Sequence, residues 1–152
     1  MKLSRITLTC FVVAAVGGSA AAFTLGQKRV IKQQNKEFKY SVDRLNRTCE
    51  SKIAAAIDWK TFADEIDKHL DGKLGVSFHG YCAEPLAELT SFCKSDDDLK
   101  PTIRAGVERY TCKFGGKGKR GIKLDNKHLT YWVDWKAVNN NLFIKKYLEK
   151  NL

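Results

Sequence analysis

The chain has 152 residues, 43% of them hydrophobic, and carries a formal net charge of +10. That length fits one domain, and the apolar share fills a core, which excludes disorder and a multi-domain array. The cation excess points to an anionic partner, and an exported protein meets anionic lipid or cell-wall polymer more readily than nucleic acid.

Lys2 and Arg5 precede the apolar run ITLTCFVVAAV, and the small residues GGSAAA follow, with Ala20-Ala21-Ala22 as a cleavage site before Phe23. This is the pattern of an export signal. An uncut anchor competes with it, because about 22 residues between Arg5 and Lys28 carry no charge and about 20 suffice to span a bilayer. We expect residues 1–22 to be a signal peptide or an uncleaved anchor that engages the membrane during export. Residues 23–40 are expected as a basic helical linker, and 41–152 as a single disulfide-bonded α+β domain. The expected location is periplasmic or secreted, and membrane-anchored if the segment is retained.

Loss of the first 22 residues removes Lys2, Arg5 and Cys10 and leaves a charge of +8 and four cysteines: Cys49, Cys82, Cys93 and Cys112. An even number in an exported chain predicts two disulfides. With no CxxC and no His at ligand spacing from a Cys, neither a metal nor a cofactor is expected.

Phe38, Val42, Leu45 and Cys49 share a helical face and predict a helix from Lys28 to Thr48, whose basic start reads as a stalk or linker. The alternation of Ile53, Ala55 and Ile57 predicts a short strand, and Trp59, Phe62, Ile66 and Leu70 a helix capped by Asp58 and closed by Gly72. EPLAELTSFC predicts a helix with Pro85 in its first turn, and KSDDDLKP a polar break. Three strands follow: one through Tyr110, Cys112 and Phe114, one through Ile122 and Leu124, and one through Leu129, Tyr131 and Val133 with Trp132 on the opposite face. A terminal helix carries Phe143, Ile144, Tyr147 and Leu148, with Asn139–Asn141 as its caps. The expected fold is a two-layer α+β domain: an antiparallel three- to four-stranded sheet, built on a C-terminal meander, with helices packed on one face.

The tetrapeptide IDWK at Ile57–Lys60 recurs as VDWK at Val133–Lys136. Both copies stand where a strand pattern gives way to a helical one, and we read them as a shared corner with Trp folded over the junction, rather than a catalytic motif; Asp58 caps the first helix, while AVNNN delays the second and makes Asn139–Asn141 its better caps.

If the helix through Pro85 includes Cys82, eleven positions separate it from Cys93, or about 16 Å at helical rise, too far for a disulfide. Two pairings then remain, and Cys49–Cys82 with Cys93–Cys112 is the expected one.

The run GGKGKRG at Gly115–Gly121 lacks the spacing and the Ser/Thr of a phosphate-binding loop and reads instead as a basic hairpin turn. Lys117, Lys119 and Arg120, with Lys123 and Lys127 beyond, are the candidate anion-binding residues. His69, His79 and His128 form no recognisable catalytic motif, and no pair of carboxylates stands out. NRT at Asn46–Thr48 is a formal glycosylation triplet with meaning only in a eukaryotic secretory pathway. The functional expectation is an exported, basic, non-enzymatic protein that binds an anionic envelope surface or a protein partner. The alternative is a small secreted hydrolase with an unidentified carboxylate or histidine site.

Overall fold

The computed structural model describes residues 22–152. The expected export segment lies outside them but for its last residue, Ala22. Helix α1 (Leu25–Thr48) leads into strand β1 (Ala54–Ile57), a short 3-10 turn at Trp59–Phe62, and helices α2 (Ala63–Leu70), α3 (Phe78–Ser95) and α4 (Leu99–Gly106). Strands β2 (Arg109–Phe114), β3 (Gly121–Asp125) and β4 (His128–Val133) follow, and helix α5 (Asn140–Asn151) ends the chain.

The chain is α+β, with helices packed against a four-stranded sheet, but the sheet is mixed rather than antiparallel. Its order is β1-β2-β4-β3; β1 and β4 both run parallel to β2, and only β3 and β4 are antiparallel. The expected meander fails because β4 inserts between β2 and β3. The glycine-rich stretch after β2 passes over the end of β4 instead of closing a tight hairpin. Gly115 N–H donates to Val133 O at 2.9 Å, and Gly118 N–H donates to Asp134 Oδ2 at 2.6 Å. A Cβ on Gly115 would sit 2.4 Å from Lys119 O, and Gly116 and Gly118 take φ of 86° and 72°, so the crossing needs glycine. Between β3 and β4, Asn126 and Lys127 both adopt positive φ, the two-residue turn that matches strand twist.

One face of the sheet is core. Ile57, Tyr110, Cys112, Leu129, Tyr131 and Val133 are buried on it, beneath Phe38 and Leu45 of α1, Leu86 and Leu89 of α3, and Ile144 and Leu148 of α5. The 23–40 stretch expected as a linker is seated rather than projecting. Gln27 Nε2 donates to Asp67 Oδ1 at 2.8 Å, Gln34 Oε1 accepts the His79 N–H at 3.0 Å, and both glutamines are buried with Phe38 along the same side of α1. Buried amides need partners, and these find them in α2 and α3.

Pro85 does not open its helix. α3 begins seven residues earlier at Phe78, where Ser77 caps it by accepting the Gly80 N–H. A Cβ on Gly80 would lie 3.0 Å from Ser77 Oγ, so a glycine that reads as a breaker is part of the cap. The polar break is followed by α4, which sequence analysis did not anticipate and which buries Ile103. Since α3 contains both Cys82 and Cys93, they do not bond each other, as the helical rise requires. The preferred pairing is nevertheless corrected: the disulfides are Cys49–Cys93 and Cys82–Cys112. The first ties the end of α1 to the end of α3. The second ties the start of α3 to β2.

The two DWK copies meet in space. Trp59 packs on Phe62 at 5.8 Å between ring centroids, and Phe62 packs on Trp135 at 5.9 Å, with Phe78 and Phe114 completing the cluster. Trp59 Nε1 donates to Asn35 Oδ1, and Trp135 Nε1 to the buried Glu65. The tryptophans therefore serve as corners. The aspartates do not serve as helix caps: the Asp58 side chain makes no cap bond, and Asp134 clamps the glycine loop and the Lys136 N–H. Asn139 precedes α5 with φ of 56° and no side-chain cap bond.

Candidate functional site

Among the described residues no helix covers the second face of the sheet. Period-two alternation places Arg109, Thr111 and Lys113 of β2, His128, Thr130 and Trp132 of β4, and Lys123 and Asp125 of β3 on it, all partly or fully exposed. Arg109, Lys123, Asp125, Asn126, His128, Thr130 and Trp132 line a shallow hollow of about 320 Å³ there. Trp132 lies across Gly121, whose absent side chain leaves room for the ring: a Cβ there would meet Trp132 Cε3 at 3.3 Å. Thr111 Oγ1 and His128 Nε2 are 2.8 Å apart and steady each other between the strands. Lys123 pairs with Asp125 at 3.1 Å, and Lys113 approaches Asp58 at 3.8 Å, while Arg109 has no acidic partner among the described residues. An aromatic plane, guanidinium, ammonium and imidazole donors, and threonine hydroxyls thus share one solvent-facing surface. That chemistry suits a flat anionic ligand with hydroxyls, which can stack on the ring and accept hydrogen bonds at its edges.

The five candidate cations do not form one patch. Lys117 and Lys119 are exposed on the glycine crossing. Arg120 is turned inward: its Nη1 donates to Val138 O at 2.8 Å and to Asn140 Oδ1 at 2.9 Å, and its guanidinium sits 4.3 Å over the Phe143 ring. It holds the start of α5 through Nη1, which leaves Nε and Nη2 as its remaining donors. Lys123 belongs to the open face, and Lys127, at the β3–β4 turn, pairs with Glu108 at 2.7 Å. Sequence reasoning missed Arg109, Lys113, His128 and the threonines as a group. Their signal was the same alternation that identified the core, read for its other face.

Two arrangements bear on hydrolysis. Ser77 Oγ lies 2.8 Å from His79 Nδ1, and His79 Nε2 lies 3.0 Å from Glu37 Oε2. Gln34 Oε1 also faces Nδ1 at 2.8 Å, Ser77 Oγ accepts the Gly80 N–H as helix cap, and the His79 N–H is taken by Gln34. The same atoms cap α3 and tie it to Gln34 and Glu37 of α1. This cluster is a clamp between α1 and α3.

The second arrangement is Glu84 on α3. Burial pushes its carboxyl above the ordinary value, while Tyr131, Asn140 and Arg120 pull it down and Glu88, one turn on, adds to the rise. Tyr131 Oη donates to Glu84 Oε2 at 3.3 Å, and burial raises the Tyr131 phenol as well. A carboxyl raised by folding binds protons better folded than unfolded, so its contribution to stability is full below the ordinary value of 4.5 and declines as pH rises through the folded value. Glu84→Gln keeps an acceptor for Tyr131 and removes this titration. The expected outcome is a smaller loss of melting temperature between pH 4.5 and pH 7 than in the parent. Parallel profiles would show that Glu84 does not titrate in this window.

Among the described residues no group of three His, Cys, Asp or Glu side chains is placed to hold a metal ion, and no helix is long and apolar enough to cross a membrane. Two buried disulfides are consistent with an extracellular or periplasmic protein. Comparison with protein-family models, with curated proteins and with solved structures finds no match.

Proposed function

We propose that this is an exported, non-enzymatic binding protein that holds an anionic polymer of the cell envelope on the uncovered face of its sheet. The observation that carries the reading is the open face itself: Trp132 laid over Gly121, with Arg109, Lys123 and His128 around the hollow. A sheet with one bare face usually shows water a mixture of short polar residues. Here the bare face offers a stacking plane ringed by cations. The net charge of +10 supports it by drawing the protein to any anionic surface, and the open face then gives orientation. Lys117 and Lys119 would add long-range attraction from the nearby loop.

The test uses a soluble polyuronate as probe. Arg109→Ala with Trp132→Ala should weaken binding by about 1–3 kcal/mol for the lost stacking and guanidinium contacts, while melting stays near the parent value because both side chains meet solvent. Raising ionic strength should weaken the parent more than the double variant. Equal retention of parent and variant on a polyuronate column, with no binding to a neutral glucan by either, would assign the binding to diffuse charge and reject the open face.

A further inference from the structure

The free edge of β1 is built unlike a protected edge. Ala54 N–H donates to Glu108 O at 3.0 Å and Asp58 N–H to Cys112 O at 2.8 Å, so the even-numbered residues face β2. In a parallel ladder of this register, Ala55 and Ile57 turn their N–H and C=O groups to the opposite, unpaired side. One position nearer the N-terminus, that side is already closed. Asn46 Oδ1 accepts the Ile53 N–H at 2.9 Å, and Asn46 Nδ2 donates to Ile53 O at 3.1 Å, so a side-chain amide from α1 stands in for a neighbouring strand. The second of these bonds commits the nitrogen that the NRT triplet would offer to a glycan.

Beyond Asn46 no group among the described residues takes over this role at Ala55 or Ile57. The edge opens into a groove of about 540 Å³ between β1 and α1, with Phe38 and Val42 along the helix side and Trp59 at the far end. Edges are normally blunted by charge, proline or a bulge. β1 is Ala-Ala-Ala-Ile and carries no charge; Ala54 and Ala56 are exposed and Ala55 half-buried, while the Ile57 side chain is in the core. Lys52 precedes the strand and Lys60 follows it, and neither has an acidic partner among the described residues; on the helix side Lys39 and Asp43 line the groove as an ion pair at 2.6 Å.

We propose that this edge and groove receive an extended peptide segment of another protein, added to the sheet as a fifth strand. Apolar side chains at alternate positions would lie over Phe38 and Val42, and acidic residues at the segment's ends would meet Lys52 and Lys60, which flank the strand. Main-chain hydrogen bonds at Ala55 and Ile57 supply the attachment, and the groove reads every second side chain. A second copy of this chain fits less well, because pairing two β1 edges would bring two bodies of charge +10 together with like lysines facing. The site is separate from the open sheet face and does not depend on it.

The experiment uses the isotope-labelled full chain and a capped peptide, Glu-Glu-Val-Thr-Val-Thr-Glu-Glu, with a proline-interrupted peptide of equal charge as control. The peptide should shift the amides of Ala55 and Ile57 and slow their hydrogen exchange by about tenfold or more, and the control should not. Ala55→Pro removes an outward N–H and spares the β1–β2 ladder, so it should keep the fold and weaken binding by about tenfold. Should that variant unfold, N-methylation of the peptide at its β1-facing amides tests the same bonds, and methylation at the intervening amides should have little effect. Absence of binding, equal binding of the control, shifts centred on Arg109 and Trp132, or indifference to N-methylation would each overturn the proposal. So would protection of Ala55 and Ile57 in a dimer of the peptide-free protein, which would assign the edge to a second copy.

Discussion

Replacing Cys49 and Cys93 together by alanine is expected to lower the free energy of unfolding by about 4 kcal/mol, the loop-entropy value for a bridge across 44 residues. The Cys82–Cys112 bridge, across 30 residues, should be worth only slightly less. Both bridges converge on α3 from opposite ends, one from α1 and one from β2, so together they join the two layers of the domain. A domain of this size has about 5–15 kcal/mol in all, and loss of both bridges should leave it largely unfolded at 37 °C. Urea unfolding of each double-alanine variant checks the first statement, and circular dichroism of the four-alanine variant the second. A cost below about 1 kcal/mol for either bridge would mean that the unfolded chain is already confined by other means. Non-reducing peptide mapping should recover Cys49 with Cys93 and Cys82 with Cys112.

The second large effect belongs to Phe62. Its ring is fully buried and meets Trp59, Phe78, Phe114 and Trp135, with centroids between 5.7 and 5.9 Å. Phe62→Ala should cost about 3–5 kcal/mol, since the transfer loss is compounded by a cavity that four large, mutually braced rings cannot collapse to fill. The near-ultraviolet dichroism of the two flanking tryptophans should fall with it, even where the far-ultraviolet signal persists. Trp135→Phe is the informative contrast. It keeps most of the packing but strips the buried Glu65 of the indole N–H, leaving it the Lys68 ammonium at 2.6 Å, and should cost no more than about 3 kcal/mol. If Phe62→Ala melts within a degree or two of the parent, the cluster is not the keystone of the core.

The echo of DWK shows why this cluster was only half legible. Its residues promised two strand-to-helix corners, each with a tryptophan to bury. That the two tryptophans lie on either side of the same phenylalanine depends on β1 and β4 flanking β2, a relation no local pattern encodes. Asp58 stands where a cap belongs, but its side chain makes no cap bond, and Asp134 lies too far from its helix to cap it. In the folded chain Asp134 is drawn to Gly118 instead, because the glycine crossing leaves an N–H beside it. The same crossing ties Arg120 to Val138 O, Asn140 and Phe143 and so sets it apart from Lys117 and Lys119.

What the sequence determined by itself is the content of each element and its inward face. The alternation in β2 and β4 separates Tyr110, Cys112, Leu129, Tyr131 and Val133 from the outward residues, and the helical spacing of Phe38 and Leu45 is enough to bury them. These follow from periodicity, which is a property of a single segment in contact with a core of any shape. Strand order, the disulfide partners and the two candidate surfaces were decided only by the tertiary structure. Whether β3 or β4 sits beside β2 depends on the route of the connection after Phe114, and either route buries the same side chains. The cysteine partners follow from where the two ends of α3 land, and α3 itself began earlier than its proline and glycine suggested. The open face and the β1 groove exist because five helices cover one side of four strands and leave the other side and one edge to solvent. Such places are defined by what fails to pack there, and that is settled only when every other element has taken its position.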